Sequence, residues 1–389
     1  MGDEERRGRA ATSLVPGRAT AAGTARYAGR FPGLPGHFRR PDHLWLSSLG
    51  CGTRPGDPGG IDDISYRSVL DRAVEVGINV IDTSISYRMQ QSERNIAAAL
   101  GRALRERRVA RDELVIVTKG GYLTIDPERV RTRADARRYL VSTYVDTGLV
   151  DVDGLVNGSH SIDPPFLRDQ IERSRKNLAL ETIDLYMIED PELHLLAKGP
   201  TTFRHQLRAA VEALEDEVAA GRIAAYGFST WSGLFVPYTE KGHLSVSDLF
   251  ETVLDVGGAD NHLRALSFPY SVAMGEAVGL PSQFGGGARP AGVLEMLEGT
   301  GVAVLTSAPL VRGRAANARL SDELRTALAP ARSSAQVALQ FARSTPGVSS
   351  TLVGMRTLEH LEENIEIARH APASADAIDA LFAAVRLQA

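Results

Sequence analysis

The sequence predicts a (β/α)8 barrel. From Leu44 onward, short apolar segments rich in β-branched residues alternate with longer amphipathic ones, and the alternation runs through eight units. Repeated β-α alternation implies a parallel sheet, and eight units can close it. A doubly wound open sheet is the structural alternative, but no G-x-G-x-x-G follows the first strand, which weakens its dinucleotide-binding form.

The elements follow in order. "LWLSSLG" reads as the first strand, and "DDISYRSVLDRAVEVG" as its helix, with Ile64, Val69, Ala73 and Val76 near helical spacing and Gly77 as the stop. "INVIDTS" is a buried strand, "SERNIAAALGRALRERR" a helix and "ELVIVTKGG" a strand. "PPFLRDQIERSRKNLAL" is a helix with proline in its first turn, followed by the strand "TIDLYMI". "FRHQLRAAVEALEDEVAAGR" then leads to the strand "IAAYGFS". The second half repeats this with helix "SVSDLFETVLDVG", strand "LRALSFPY", helix "PAGVLEMLEGTG" and strand "VAVLTSAPL". Helix "SSAQVALQFARST", strand "VSSTLVGM" and helix "TLEHLEENIEIARHA" complete the barrel, and an extra helix spans 374–388.

Two intervals break the rhythm. The stretch 121–162 leaves the third strand without a clear period, and Met274 to Arg289 follows the sixth. Both emerge at the C-terminal mouth of the barrel, where long loops form lids or pocket walls. Residues 1–30 have the composition of a flexible tail, so the barrel is expected over 31–389.

Hydrophobic residues make up 43% of the 389, enough for a large core. The net charge of −4 comes with no basic stripe, which argues against nucleic acid. One cysteine, Cys51, can build neither an internal disulfide nor a cysteine zinc site. No apolar run is long enough to span a membrane, and the N-terminal residues lack a signal-peptide core. The expectation is a cytoplasmic protein with a small-molecule substrate and neither metal nor membrane; oligomeric state is open. The excess of Arg over Lys, with abundant Ala and Gly, reads as a GC-rich bacterial bias.

Polar residues stand where strand ends would converge. Asp82 ends "NVIDTS", Tyr87 follows in "ISYRMQQSE", and Lys119 ends "VTKGG". A phenol is a poor acid at neutral pH; a nearby ammonium lowers its pKa, and a carboxylate can hold that ammonium. The structural alternative has Asp82 capping a helix, Tyr87 on the surface and Lys119 pairing with any acid.

These segments, with "SERNIAAALGRAL", "NLALETIDLYMIEDPE", "EVAAGRIAAYGFST", "SSAQVALQFA" and "STLVGMRTLEHLEENI", resemble the aldo-keto reductase superfamily over roughly residues 44 to 370. "GHFR" before the first strand and the long insertion after the third resemble a bacterial subgroup. The resemblance implies hydride transfer from NADPH to a carbonyl, with a tyrosine as proton donor assisted by Lys, Asp and His. Asp82, Tyr87 and Lys119 match three of those positions. The fourth departs: where the family reads Leu-His-Asn-Pro, this chain reads Ile188, Glu189, Asp190, Pro191.

The resemblance also places the cofactor. Gly354, Arg356, His360, Glu363 and Asn364 match the segment that binds the adenosine end, with the Arg356 fork suited to a 2′-phosphate. Ser307, Leu310 and Gly313 match the pyrophosphate loop. At the nicotinamide end Ser229 is retained, but Thr230 replaces Asn, Ser267 replaces Gln and Ser271 stands where Asn is common. Each lost bond to the carboxamide would weaken binding by about 0.5–1.5 kcal/mol. Tyr226 and the stretch Trp231 to Phe235 are candidate pocket walls. The structural alternative is that these residues serve helix starts and packing.

Glu189 opens three readings. A protonated Glu donates a hydrogen bond as the imidazole would, and steroid 5β-reductases of the superfamily, which reduce a conjugated C=C bond, carry Glu there. Alternatively, His160 or His194 supplies the missing imidazole, or ketone reduction is lost. The leading expectation is an NADPH-dependent oxidoreductase acting on a carbonyl or conjugated enone, with a role in bacterial secondary metabolism. The second is a dehydratase, isomerase or cyclase on the same scaffold, with NADPH weak or vestigial. The third is a non-catalytic partner subunit, as in potassium-channel β-subunits of this type.

Overall fold

The computed structural model describes residues 14–31, 35–37, 44–53, 63–285 and 289–386. Eight parallel strands close in the order β10-β3-β4-β5-β6-β7-β8-β9. They are β3 (Leu49–Gly52), β4 (Val80–Asp82), β5 (Val115–Gly120), β6 (Leu185–Glu189), β7 (Tyr226–Ser229), β8 (Leu263–Pro269), β9 (Ala303–Ser307) and β10 (Ser350–Gly354). A separate antiparallel pair, β1 (Pro35–His37) and β2 (Trp45–Ser47), precedes them. The expected first strand therefore divides: Trp45–Ser47 joins this pair and Leu49–Gly52 enters the barrel. Asn79 holds the break, its Oδ1 accepting from Ser47 N at 2.8 Å and its Nδ2 donating to Trp45 O at 2.6 Å.

The barrel helices are α2 (Asp63–Glu75), α3 (Gln91–Arg105), α5 (Pro164–Leu178), α7 (Pro200–Ala219), α8 (Val246–Gly257), α10 (Val293–Leu297), α12 (Ser334–Ser344) and α13 (Leu358–Ala368). Additional ones are α1 (Ala21–Ala28), α4 (Arg133–Leu140), α6 (Glu192–Lys198), α9 (Glu276–Gly279), α11 (Asp322–Ala327) and α14 (Ala375–Arg386). Local chemistry sets several starts. Two prolines open α5, and Ser333 and Thr357 cap α12 and α13 by accepting from Gln336 N and His360 N. Among the described residues no helix is long and apolar enough to cross a membrane.

Strand alternation produces two cores. Inward residues, among them Val80, Val117, Met187, Ala265 and Leu305, fill the bore. Outward ones, among them Ile81, Ile116, Ile188, Phe228 and Val353, pack under the helices. The same parity decides which residues reach the mouth.

One expectation is corrected and one open stretch is resolved. The flexible tail was expected through residue 30; residues 1–13 lie outside the described part, but 14–31 are folded against the barrel. Val15 N donates to Ala179 O at 2.7 Å, and α1 is anchored by Tyr27, 1% exposed, whose hydroxyl donates to Val74 O at 2.6 Å. Arg26 and Arg30 both pair with the buried Glu113. Polar Gly/Ala/Arg-rich composition concealed these few anchoring side chains. The stretch 121–162 is likewise folded. It contains α4, a π-helical turn at Val141–Val145 and a 3-10 turn at Val152–Gly154, gathered around fully buried Tyr144 and Phe166, with Tyr139 and Val150 beside them. Tyr144 OH donates to Thr124 O at 2.9 Å, which fastens this excursion to the end of β5. The second irregular stretch contains the short helix α9 and a Gln283–Ala291 bridge; its residues 286–288 lie outside the described part.

Tyr27→Ala is expected to cost about 3–5 kcal/mol of unfolding free energy. Urea denaturation measures this; a loss below about 1 kcal/mol, typical of an exposed loop, would contradict the docking of α1.

Candidate active site

Strand register builds the mouth. Lys119 pairs with Met187 across β5–β6, Glu189 with Ser229 across β6–β7, Ser229 with Ser267 across β7–β8, and Ser267 with Leu305 across β8–β9. Met187 and Leu305 face the bore. Lys119, Glu189, Ser229, Ser267 and Ser307 therefore share the inward parity, and so does Asp82, two residues beyond Val80.

Lys119 and Asp82 form a buried ion pair. The ammonium donates to both Asp82 carboxylate oxygens, at 2.6 and 2.8 Å, and to Thr83 O at 2.8 Å. Its hydrogens are thus committed, and it reaches Tyr87 through the ring, with Nζ 5.0 Å from the centroid. The Tyr87 hydroxyl instead donates to Glu189 Oε1 at 3.2 Å, and Ser84 Oγ donates to Glu189 Oε2 at 2.9 Å. Lys119 therefore makes no hydrogen bond to the phenol oxygen, and the net shift at Tyr87 is upward. Burial is the main cause that holds Tyr87 well above the ordinary phenol value, with the neighbouring carboxyl groups adding to it. Burial also raises Glu189, against the attraction of Lys119, and raises Asp82 in the same way.

A second phenol–carboxyl pair stands beside the first. Tyr122 OH donates to Asp190 Oδ2 at 2.5 Å. Asp190 is pushed up to about 7, chiefly by burial and further by Glu192 and Glu189. Its backbone is left-handed, φ 46°, and its N–H is tied to Ser229 O at 2.7 Å. Sequence reading missed Ser84, Tyr122 and Asp190 as site residues. Ser84 and Asp190 lie within quoted motifs without having been given a role, whereas Tyr122 carried no signal because its partner lies 68 residues away.

His160 and His194 are not substitutes for the missing catalytic imidazole. His160 Nε2 donates to the Glu189 backbone oxygen at 2.7 Å, since a carbonyl only accepts. Its Nδ1 lies 3.1 Å from His194 Nε2, and His194 Nδ1 lies 3.1 Å from the Gln206 side chain. Burial pushes His160 down to about 4, so the ring is neutral. The two rings brace the main chain under Glu189.

The candidate cofactor residues divide. Ser229 and Ser267 present hydroxyls without a hydrogen bond among the described residues, and Ser307 follows on the next strand. This row of inward hydroxyls suits a polar group such as a carboxamide. Thr230 does not: its hydroxyl donates to Glu192 Oε1 at 2.6 Å, the oxygen that also accepts from Trp231 N and Ser232 N. Ser271 is turned inward, accepting from Ala273 N at 3.2 Å. Tyr226 is no pocket wall, because its outward parity takes its hydroxyl to Glu215 Oε1 at 2.7 Å under α7. Trp231 is exposed, with the Arg312 guanidinium 5.6 Å from its ring, so the loops after β7 and β9 meet there. Leu310 and Gly313 belong to that second loop, where Val311, Arg312 and Gly313 all have positive φ. Gly354, Arg356 and His360 are exposed around the start of α13, Glu363 is half-buried and Asn364 is buried. An exposed arginine at a helix N-terminus suits a phosphate.

The aldo/keto reductase family model matches residues 48–234. A curated relative, the uncharacterized oxidoreductase YqkF of Bacillus subtilis, is 22% identical over 344 residues, 83% of this chain and 88% of that protein. Among solved structures, the holo form of aldo-keto reductase AKR11C1 from Bacillus halodurans matches with a TM-score of 0.58 at 18% identity, over 89% of this chain and 94% of that one. The thermostable aldo-keto reductase Tm1743, solved with the inhibitor epalrestat, matches with a TM-score of 0.55 at 20% identity, over 90% and 99%.

The raised Asp190 fixes the sign of a pH effect. A carboxyl with a raised folded pKa stabilises fully below its unfolded pKa, about 3.9, and that stability is lost as pH rises through about 7. Buried His160 acts oppositely in the acid part of this range, so the comparison is between variant and parent at each pH. Denaturant unfolding from pH 4 to 8 is expected to show a shallower fall for Asp190→Asn than for the parent. Parallel curves would contradict the assignment.

Proposed function

We propose that this chain, whose residues 48–234 match the aldo/keto reductase family model, is an NADPH-dependent oxidoreductase that reduces a carbonyl or conjugated enone of a small molecule, with Glu189 in its protonated form. The observation that carries this reading is the Tyr87–Glu189 hydrogen bond of 3.2 Å beside the Lys119–Asp82 pair. Burial favours the neutral carboxyl at Glu189, and a neutral carboxyl donates where a carboxylate only accepts. A substrate oxygen entering between Tyr87 and Glu189 meets two O–H donors as negative charge builds on it. Lys119, beneath the Tyr87 ring, stabilises the phenolate left when Tyr87 gives up its proton, and Asp82 holds Lys119 in place. A reduced nicotinamide, when bound, supplies the hydride. Ser229 and Ser267 would hold its carboxamide end, and Arg356 at the start of α13 its phosphate-bearing end. Thr230, committed to Glu192, contributes nothing there, so the adenosine half carries more of the affinity.

The Tyr122–Asp190 pair favours a second reading, non-redox acid–base chemistry such as dehydration or isomerisation. A carboxyl held at about 7 both gives and takes a proton at neutral pH. Product formed without nicotinamide consumption would select this reading.

The first reading is tested by titrating the protein with NADPH and NADH, then screening enones and ketones. Micromolar NADPH binding, about −8 kcal/mol, with stoichiometric consumption supports it. Tyr87→Phe is then expected to lower kcat about 100-fold or more at unchanged Tm. Undiminished turnover would remove Tyr87 as the proton donor.

A further inference from the structure

At the N-terminal end of the barrel, opposite the candidate active site, the bore encloses a cavity of about 240 Å³. Barrel interiors are ordinarily filled by bulky branched side chains. Here Ala265 and Ala303 stand in register on β8 and β9, with Ala224 and Ala225 just before β7, so one sector of the wall carries only methyl groups. Val80, Val115 and Leu305 complete an apolar lining.

The cavity has a fixed roof. The segment through Arg18 to Ala21 crosses it, with Ala19 N donating to Asp184 Oδ1 at 2.6 Å and Thr20 N to Asp112 O at 3.0 Å. Asp184 adds no free acidity to the rim, because its other oxygen accepts from Arg111 and from Ile116 N, each at 2.8 Å. Positive charge remains. Arg18 lies at the rim, exposed, with no hydrogen bond or ion pair among the described residues. The Arg264 side chain also lines it, with Nη1 donating to Asn261 O and Leu263 O. An apolar bore with Arg18 at its rim matches an amphipathic anion.

We propose that this cavity binds a medium-chain carboxylate, with its hydrocarbon tail among Ala265, Ala303 and Leu305 and its carboxylate at Arg18. By scale with a dry cavity of roughly 150 Å³ that takes benzene, the space suits about ten non-hydrogen atoms, the size of octanoate. The site stands apart from the chemistry at the other end of the barrel. Its ligand acts by stabilising the fold and the docked segment 14–31.

The test is calorimetric titration of the full chain with octanoate and, in parallel, octan-1-ol, together with methyl NMR of the complex. Octanoate is expected to bind and to shift the methyl signals of Leu46, Leu185 and Leu305. Ala265→Leu, which fills the space, is expected to abolish binding of both probes. Arg18→Gln is expected to weaken octanoate about threefold to fivefold, the range for an exposed ion pair, and to leave octanol unchanged. Should Ala265→Leu not fold, the methyl shifts of the unmodified chain decide the location. No binding at millimolar octanoate, or shifts confined to the mouth around Tyr87, would overturn the site. Octanoate binding no tighter than octanol and undiminished by Arg18→Gln would overturn the carboxylate assignment. Tyr87→Phe leaves octanoate affinity unchanged on this account, so the cavity and the catalytic reading stand or fall separately.

Discussion

Closure of eight parallel strands imposes one side-chain parity around the bore, and the chemistry of the mouth depends on it. Val80, Val117, Met187 and Leu305 must face inward to fill the barrel. Two residues further along β4, β5, β6 and β9, the same parity delivers Asp82, Lys119, Glu189 and Ser307. The result is a layer with one ammonium and two carboxyls in little water. Asp82 takes the ammonium completely, through both oxygens. Glu189 is left with the hydroxyls of Tyr87 and Ser84, which solvate a carboxyl without neutralising a charge. An imbalance of charge in a buried site is resolved most cheaply by keeping a proton.

The folded insertion after β5 supports that layer from the side. His160 lies on its return path, bridging back to Tyr122 and Val156, and grips the Glu189 carbonyl. Tyr122 stacks edge-on against the same imidazole, 4.7 Å between centroids, and holds Asp190. Gln170 on α5 fixes the start of the insertion, accepting from Gly121 N at 2.9 Å and donating to Tyr122 O at 2.7 Å. The left-handed Asp190 is therefore over-determined by its neighbours, as a strained residue at a working site must be.

Much of this was legible in the sequence, because it is carried by periodicity. The alternation of apolar segments located the barrel strands, the strand-end positions gave Asp82 and Lys119, and the family resemblance singled out Glu189. What stayed hidden depends on long-range pairing. Tyr27 and Val15 sit in a stretch whose composition reads as a tail, yet each finds its partner far along the chain. Tyr144 organises an aperiodic insertion from within, which a search for helical or strand periods does not detect. Thr230 was read as a weak carboxamide ligand because the competing claim of Glu192, 38 residues away, is invisible in one dimension. Asp82 was read as the holder of Lys119, and both its oxygens do hold it; that the ammonium's remaining hydrogen goes to Thr83 O was not legible.

The central proposal is that Glu189, raised by burial, keeps its proton at neutral pH. Infrared difference spectroscopy between the parent protein and Glu189→Gln at pH 7 measures this directly through the carbonyl stretch of a protonated carboxyl. The account predicts that band in the parent and its loss in the variant, with titration to a carboxylate only at higher pH. A carboxylate signature for Glu189 at pH 7 would contradict the account and leave the site with an acceptor where it requires a donor.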